Sequence, residues 1–290
     1  MKIKIFLFRL TSLFFIGLLF LAVPGCAFKR ISRSKNLTYL KADPSARIAE
    51  QRLNIFAPRK PTTPKDVLVF MHGGGWDSGK KSLYSYLGSR MARKGVVAVV
   101  IDYPLSPAAN YHQMATAAAT AVQWVEKNIA RYGGNPEKIF VSGHSAGGHL
   151  AALITVRGAY FDTLGTANPI QVCVLIDAAG LDMYGYLKEE KFAAGHPYLK
   201  TFTADPAVWK AASPLYHLHP GMPPLLIYRG GKTYPSIAKS TEKFVNALRG
   251  FTAPNYRVLA GKKHVPMITQ FFWSWNPLYD EIIEFMRAGK

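Results

Sequence analysis

The sequence is short of cysteine, of acidic side chains and of apolar runs long enough to cross a bilayer. Its two cysteines are Cys26 and Cys173. A fold held by a disulfide framework is therefore excluded, and Cys173, inside the apolar run 171–176, reads as a core residue. Seventeen Asp and Glu stand against 36 Lys and Arg, a formal net charge of +19. That balance fits either a generally basic background or attraction to an anionic surface or acidic polymer. The cations are scattered and no nucleic-acid-reading module is present, so nucleic acid is not an expected partner. The apolar stretch Leu10–Val23 has 14 residues, against the roughly 20 a membrane-spanning helix needs.

What is abundant points to a folded core. Nearly half of the 290 residues are hydrophobic and 13% are aromatic, which argues against disorder. The length suits one large α/β domain once an N-terminal leader is set aside.

Two glycine motifs carry the chemistry. Gly143-His144-Ser145-Ala146-Gly147 follows the strand-like run Lys138-Ile139-Phe140-Val141-Ser142 and precedes helix-like Leu150–Ile154. A G-x-S-x-G between strand and helix predicts a nucleophile elbow, with Ser145 on a strained turn at a helix N-terminus. Side chains at 143 and 147 would clash across so tight a turn. Upstream, His72-Gly73-Gly74-Gly75-Trp76 follows the run Asp66–Met71. Consecutive glycines let backbone N–H groups approach a ligand. Gly74, with Gly73, and Ala146 are the candidate donors of an oxyanion hole. One side-chain donor to such a hole has been worth about 100- to 1000-fold in turnover. The bland alternatives, a flexible glycine loop and a chance Gly-Ser turn, lack the strand and helix context that both motifs have here.

With these motifs in view the chain resembles an α/β-hydrolase of the esterase/lipase group with an HGGG-type motif, the hormone-sensitive-lipase-like and feruloyl-esterase-like enzymes. The segments that carry the resemblance are VFMHGGGWDSGKKS, GVVAVVIDYPLSP, ARYGGNPEKIFVSGHSAGGHLAAL and SPLYHLHPGMPPLLIYRGG. With the C-terminal histidine they cover most of residues 50–290. The resemblance implies a mostly parallel central sheet with helices on both faces and a small cap insertion. Pro104 departs from the pattern, since such enzymes usually carry arginine after Asp-Tyr.

Chain order in this fold is Ser, then acid, then His. His264 follows the strand-like run Tyr256–Leu259 and is the candidate base; His217 and His219 precede the previous strand, Leu225–Tyr228. The acid is missing from its usual loop. Residues 229–236 hold neither Asp nor Glu. The end of the preceding strand offers Asp177 and Asp182. Pancreatic-type lipases place their acid there, and Gly180-Leu181-Asp182 is similar to theirs. Asp182 is the first choice, Asp177 the second and Asp205, in the cap-like segment, the third. A structural capping role competes for Asp182.

Residues 1–25 have a basic start and an apolar stretch suited to a signal peptide, ending in Leu21-Ala22-Val23-Pro24-Gly25-Cys26. This resembles the lipobox of bacterial lipoproteins, which implies lipidation at Cys26 and an exported, membrane-anchored protein of the cell envelope. Residues 26–45 then read as a lipidated tether and 46–290 as the hydrolase domain. Residues 183–215 interrupt the alternation of strand and helix as a cap-like insertion. Its aromatics Tyr184, Tyr186, Phe192, Tyr198, Phe202 and Trp209 are either a pocket wall or packing. Trp76 and Trp209 are the candidate substrate-binding residues, and Trp273 and Trp275 are candidates for the mouth.

The expected activity is serine hydrolysis of small-molecule carboxylic esters through an acyl-enzyme, with no metal and no organic cofactor. The alternatives are an arylformamidase-type amide hydrolase, and a non-catalytic envelope lipoprotein with a degenerate triad. Substrate identity and oligomeric state are open.

Overall fold

Short runs of Val, Ile, Leu and Phe with no polar alternation make strands that are buried on both faces. β3 (Lys65–Met71) shows how this works. Val67, Val69 and Met71 face one apolar cluster, and Leu68 and Phe70 face the other. The structure is a computed structural model that describes residues 30–45 and 48–289. The leader expected over residues 1–25, and Cys26, lie outside the described residues.

In chain order the elements begin with β1 (Ile31–Leu40), β2 (Gln51–Pro58), β3, α1 (Ser85–Arg93), β4 (Val97–Ile101) and α2 (Tyr111–Asn128). β5 (Gly134–His144), α3 (Ala146–Val156), α4 (Ala159–Asp162) and β6 (Ile170–Ile176) follow. Next come α5 (Met183–Glu190), α6 (Pro197–Phe202), α7 (Pro206–Ala211), β7 (Leu225–Gly230) and α8 (Pro235–Leu248). β8 (Asn255–Leu259), α9 (His264–Thr269) and α10 (Leu278–Ala288) complete the chain.

The strands form one sheet in the order β1-β2-β4-β3-β5-β6-β7-β8. β1 and β2 run antiparallel at one edge, and every pairing from β4 to β8 is parallel. α1 and α10 cover one face through Leu87, Met91, Leu278, Ile282 and Met286. α2, α3 and α8 cover the other through Met114, Val122, Leu150, Phe244 and Leu248. α2 starts at a capping box in which Asn110 and Gln113 each accept from the other's backbone N–H, satisfying donors that a helix start leaves open.

The tether reading of 26–45 is corrected over Ile31–Leu40, which pairs with β2 as an edge strand. Its basic, polar sequence suits an edge, where charge discourages pairing with other chains. Within 183–215 the chain forms the short helices α5, α6 and α7 between β6 and β7. Among the described residues no helix is long and apolar enough to cross a membrane.

Candidate active site

Parallel strands place their C-terminal ends on one edge of the sheet, and the candidate residues gather there. β5 ends at His144, and Ser145 turns the chain into α3 with φ 54° and ψ −122°. Only glycines fit around that turn. A Cβ on Gly143 would lie 2.2 Å from the Gly147 carbonyl oxygen, and one on Gly147 would lie 2.2 Å from that of Met71. Seven described non-glycine residues have positive φ, and three of them, Trp76, Ser145 and Asp177, stand at this edge. Backbone strain of that kind concentrates at functional sites.

His264 opens α9 just beyond β8. Its Nε2 lies 2.9 Å from Ser145 Oγ and its Nδ1 lies 2.6 Å from Asp177 Oδ2. The carboxylate accepts, so Nδ1 carries the proton and Nε2 is free to accept from the serine hydroxyl. Asp177 follows directly on β6 and is fully buried. The Gly230 N–H donates to its Oδ1 at 2.7 Å, and the Thr233 hydroxyl donates to Oδ2. A buried carboxylate needs such donors.

The acid choice is therefore corrected. Asp182, preferred on its Gly-Leu-Asp context, is the N-cap of α5. It accepts from Gly185 N–H at 2.9 Å and pairs with Lys243 Nζ at 2.8 Å. Asp205 caps α7 by accepting from Ala207 N–H. Neither is bonded to His264. Thr233 is what stands in the loop after β7, where the resemblance led one to look for an acid. Reading the sequence missed Thr233, because a loop threonine is ordinary. A signal did exist: Asp177 is the residue at which the β6 apolar run stops.

The oxyanion-hole candidates divide. Gly73 N–H donates to the Tyr84 hydroxyl at 3.2 Å, so it is not a free donor, which corrects that assignment. Its lack of a side chain is what matters, since a Cβ would sit 2.8 Å from His144 Nδ1 and 3.2 Å from Ser145 Cβ. Gly74 lines the cavity over Ser145, and Ala146 begins α3. Among the described residues neither of their N–H groups has a protein acceptor. The α3 N-terminus adds its positive dipole end.

Two further histidines brace the machinery. The His144 ring stacks on His264 with centroids 4.6 Å apart, and its Nε2–H donates to the His264 carbonyl at 3.3 Å. Burial, then the neighbouring His264, pushes its pKa down to about 3. It stays neutral and does not compete as a base. His149, on α3, accepts from Trp76 Nε1–H at 3.2 Å and donates to the Ala212 carbonyl at 2.7 Å. Burial lowers its pKa to about 4. It ties the nucleophile helix to the glycine loop and to the segment that follows α7. Asp102, two residues before Pro104, pairs with Lys81 Nζ and accepts from the Lys81 N–H, fixing the far end of the glycine loop.

A cavity of about 940 Å³ opens over Ser145. Trp76, Tyr84, Tyr186, Tyr198, Ile268 and Phe272 are among its walls. The expectation for Trp209 is corrected. Its indole N–H donates to the Thr203 carbonyl, and it packs against the core away from the cavity. Trp273 and Trp275 are also outside the lining. Among the described residues no group of three or more His, Cys, Asp and Glu is placed to hold a metal ion.

A mostly parallel sheet covered on both faces, a serine at a strand-to-helix turn and a histidine after the last strand define the α/β-hydrolase fold. The chain belongs to the BD-FAE family, whose profile matches residues 53–248. It is 28% identical over 262 residues to the isoprenylcysteine alpha-carbonyl methylesterase ICME of Arabidopsis thaliana, covering 82% of this chain and 59% of that protein. It is 28% identical over 216 residues to esterase LipC of Mycobacterium tuberculosis, covering 70% and 54%. The chain thus spans little more than half the length of these relatives. The truncated form of a carbohydrate esterase from gut microbiota superposes with a TM-score of 0.75 at 18% identity, covering 91% of this chain and 98% of that one. At that identity the likeness is one of fold.

Proposed function

We propose that the protein is a serine hydrolase of small carboxylic esters with a short acyl or aromatic portion. The observation that carries this is the unbroken line from Ser145 Oγ through His264 to Asp177. Ser145 Oγ attacks the ester carbonyl as His264 Nε2 takes its proton. The N–H groups of Gly74 and Ala146 receive the oxyanion, and Asp177 balances the imidazolium. His264 then protonates the departing alkoxide. Water repeats the sequence on the acyl-enzyme and frees Ser145. The aromatic walls suit an apolar or aromatic acyl group, and the relatives named as esterases support ester over amide chemistry.

A fluorophosphonate probe and a short p-nitrophenyl ester test this. Wild type labels and turns over; Ser145→Ala does neither, with kcat falling on the order of 10⁶-fold. Labelling that persists in Ser145→Ala overturns the assignment. Faster turnover of N-formylkynurenine than of any ester favours the arylformamidase reading instead.

We also propose that the protein is an exported bacterial lipoprotein anchored through Cys26. The support is the leader 1–25 and the lipobox-like Leu21–Cys26. Incorporation of labelled palmitate that Cys26→Ser abolishes is the expected result, and equal incorporation refutes it. A second signal besides one acyl chain is needed for stable attachment.

A further inference from the structure

The loop between α9 and α10 exposes side chains that a folded protein ordinarily keeps from water. Phe272, Trp273 and Trp275 are 49%, 57% and 74% exposed. The loop itself is well tied. Trp273 N–H donates to the Gln270 carbonyl, Asn276 N–H to that of Trp273, and Leu278 N–H to Asn276 Oδ1. The rings are thus held out by an ordered backbone. The exposed rings fall into two pairs joined by the Phe272–Trp273 backbone. Trp275 packs on Trp273 with centroids 5.0 Å apart, and Phe272 stacks on Tyr86 at 3.8 Å. Phe272, Leu83 and Val265 belong to the rim of the cavity over Ser145, and the last two are 57% and 56% exposed. Several large exposed apolar side chains gathered on one loop and the adjoining rim point to an interaction site.

Charge selects the partner. Lys262 and Lys263 immediately precede His264 and Val265, and Lys80 begins the turn that carries Leu83. Arg90 reaches the Phe272 carbonyl. None of these four enters an ion pair among the described residues. Indole rings favour the boundary between water and acyl chains, and unpaired cations nearby favour anionic headgroups. A polysaccharide fits less well. Trp273 and Trp275 are turned on each other at a 32° tilt and do not lie side by side as a flat stacking platform.

We propose that Phe272, Trp273 and Trp275, with Leu83 and Val265, dock the protein onto an anionic phospholipid surface with the mouth of the cavity facing the bilayer. This contact is separate from any lipid on Cys26. It would deliver membrane-borne esters directly to the rim.

Vesicle co-sedimentation tests the proposal with the full chain carrying Cys26→Ser, so that no acyl chain contributes. Partition is compared on phosphatidylcholine vesicles with and without phosphatidylglycerol. Trp273→Ser/Trp275→Ser should lower partition onto the phosphatidylglycerol vesicles by about tenfold or more. Its turnover of a soluble p-nitrophenyl ester should be unchanged, which also reports that it folds. Lys262→Gln/Lys263→Gln should weaken binding only when phosphatidylglycerol is present, and more so at low salt. Equal partition of the parent and the double tryptophan variant overturns the proposal. So does retention on insoluble xylan with no partition onto vesicles, which would make the patch a glycan surface. The readout is binding, so it stands or falls independently of the catalytic reading.

Discussion

Asp177 and Asp182 sit five residues apart on the turn that leaves β6, and water reaches almost none of either side chain. Burial does not tell them apart; their partners do. Asp182 is already neutralised by Lys243 and spends its other oxygen on the start of α5. Asp177 is held by an amide and a hydroxyl, neither of which carries charge. The positive charge it is placed to balance is the imidazolium that would form on His264. An acid kept without a permanent cation is thus poised for a charge that appears only during reaction.

The same substitution at the first end of the turn should break the site. Asp177→Asn keeps the shape but loses the charge and favours the wrong imidazole tautomer. A fall in kcat of about 10⁴-fold is expected for a short p-nitrophenyl ester, by the precedent for such a change in a serine triad. A kcat within a few-fold of wild type would show that the hydrogen bond from His264 is structural only.

The middle of the turn sharpens the comparison from below. A Cβ on Gly180 would lie 3.2 Å from both the His149 and the Trp76 rings, so the turn rests on that buried pair. His149 has its pKa lowered from the ordinary 6.5 to about 4 by burial. Between those values the unfolded chain binds a proton that the folded chain refuses. The stability from a neutral His149 is therefore complete above pH 6.5 and is lost as pH falls toward about 4, by something on the order of 3 kcal/mol. His149→Gln can still accept from Trp76 and donate to Ala212 but cannot titrate. Thermal unfolding across this range should show a shallower loss on acidification in the variant; matching slopes would remove His149 from the account.

These residues also show where a sequence speaks. The glycine loop and the elbow were legible because the backbone does their work, and at Gly143 and Gly147 a Cβ would strike a carbonyl. The acid was not legible in the same way. Any Asp near a strand end looks alike, and Gly-Leu-Asp pointed to the helix cap. β1 was missed because Ile31–Leu40 is largely exposed and polar, and register shifts between Ser34 and Leu37 and between Thr38 and Leu40 blur the alternation of a strand. The parallel strands themselves were legible, since apolar runs survive without knowledge of partners. Trp209 was misplaced for the converse reason, as its sequence does not reveal the Thr203 carbonyl that turns it away.

Thr233 tests whether the orientation of Asp177 matters as well as its charge. Thr233→Val keeps the volume and removes the hydroxyl donor to Oδ2. Losing one hydrogen bond to a charged group is worth about 1.5 kcal/mol, or roughly tenfold in kcat/KM. Thr233→Ser should recover most of it, which a packing defect alone would not permit.

The smallest effect is expected from Asp182→Asn, and its smallness is what gives the pair its meaning. Asparagine caps a helix about as well as aspartate, so the bond from Gly185 N–H survives. What goes is the attraction to Lys243, whose side chain is 46% exposed. Solvent screens such a pair to about 1 kcal/mol or less. Thermal unfolding should report a loss of that size while kcat stays within twofold or so of wild type. If Asp182→Asn instead matched Asp177→Asn in turnover, the two aspartates would be acting as one electrostatic unit. The distinction between an acid already neutralised and one held in reserve would then fail.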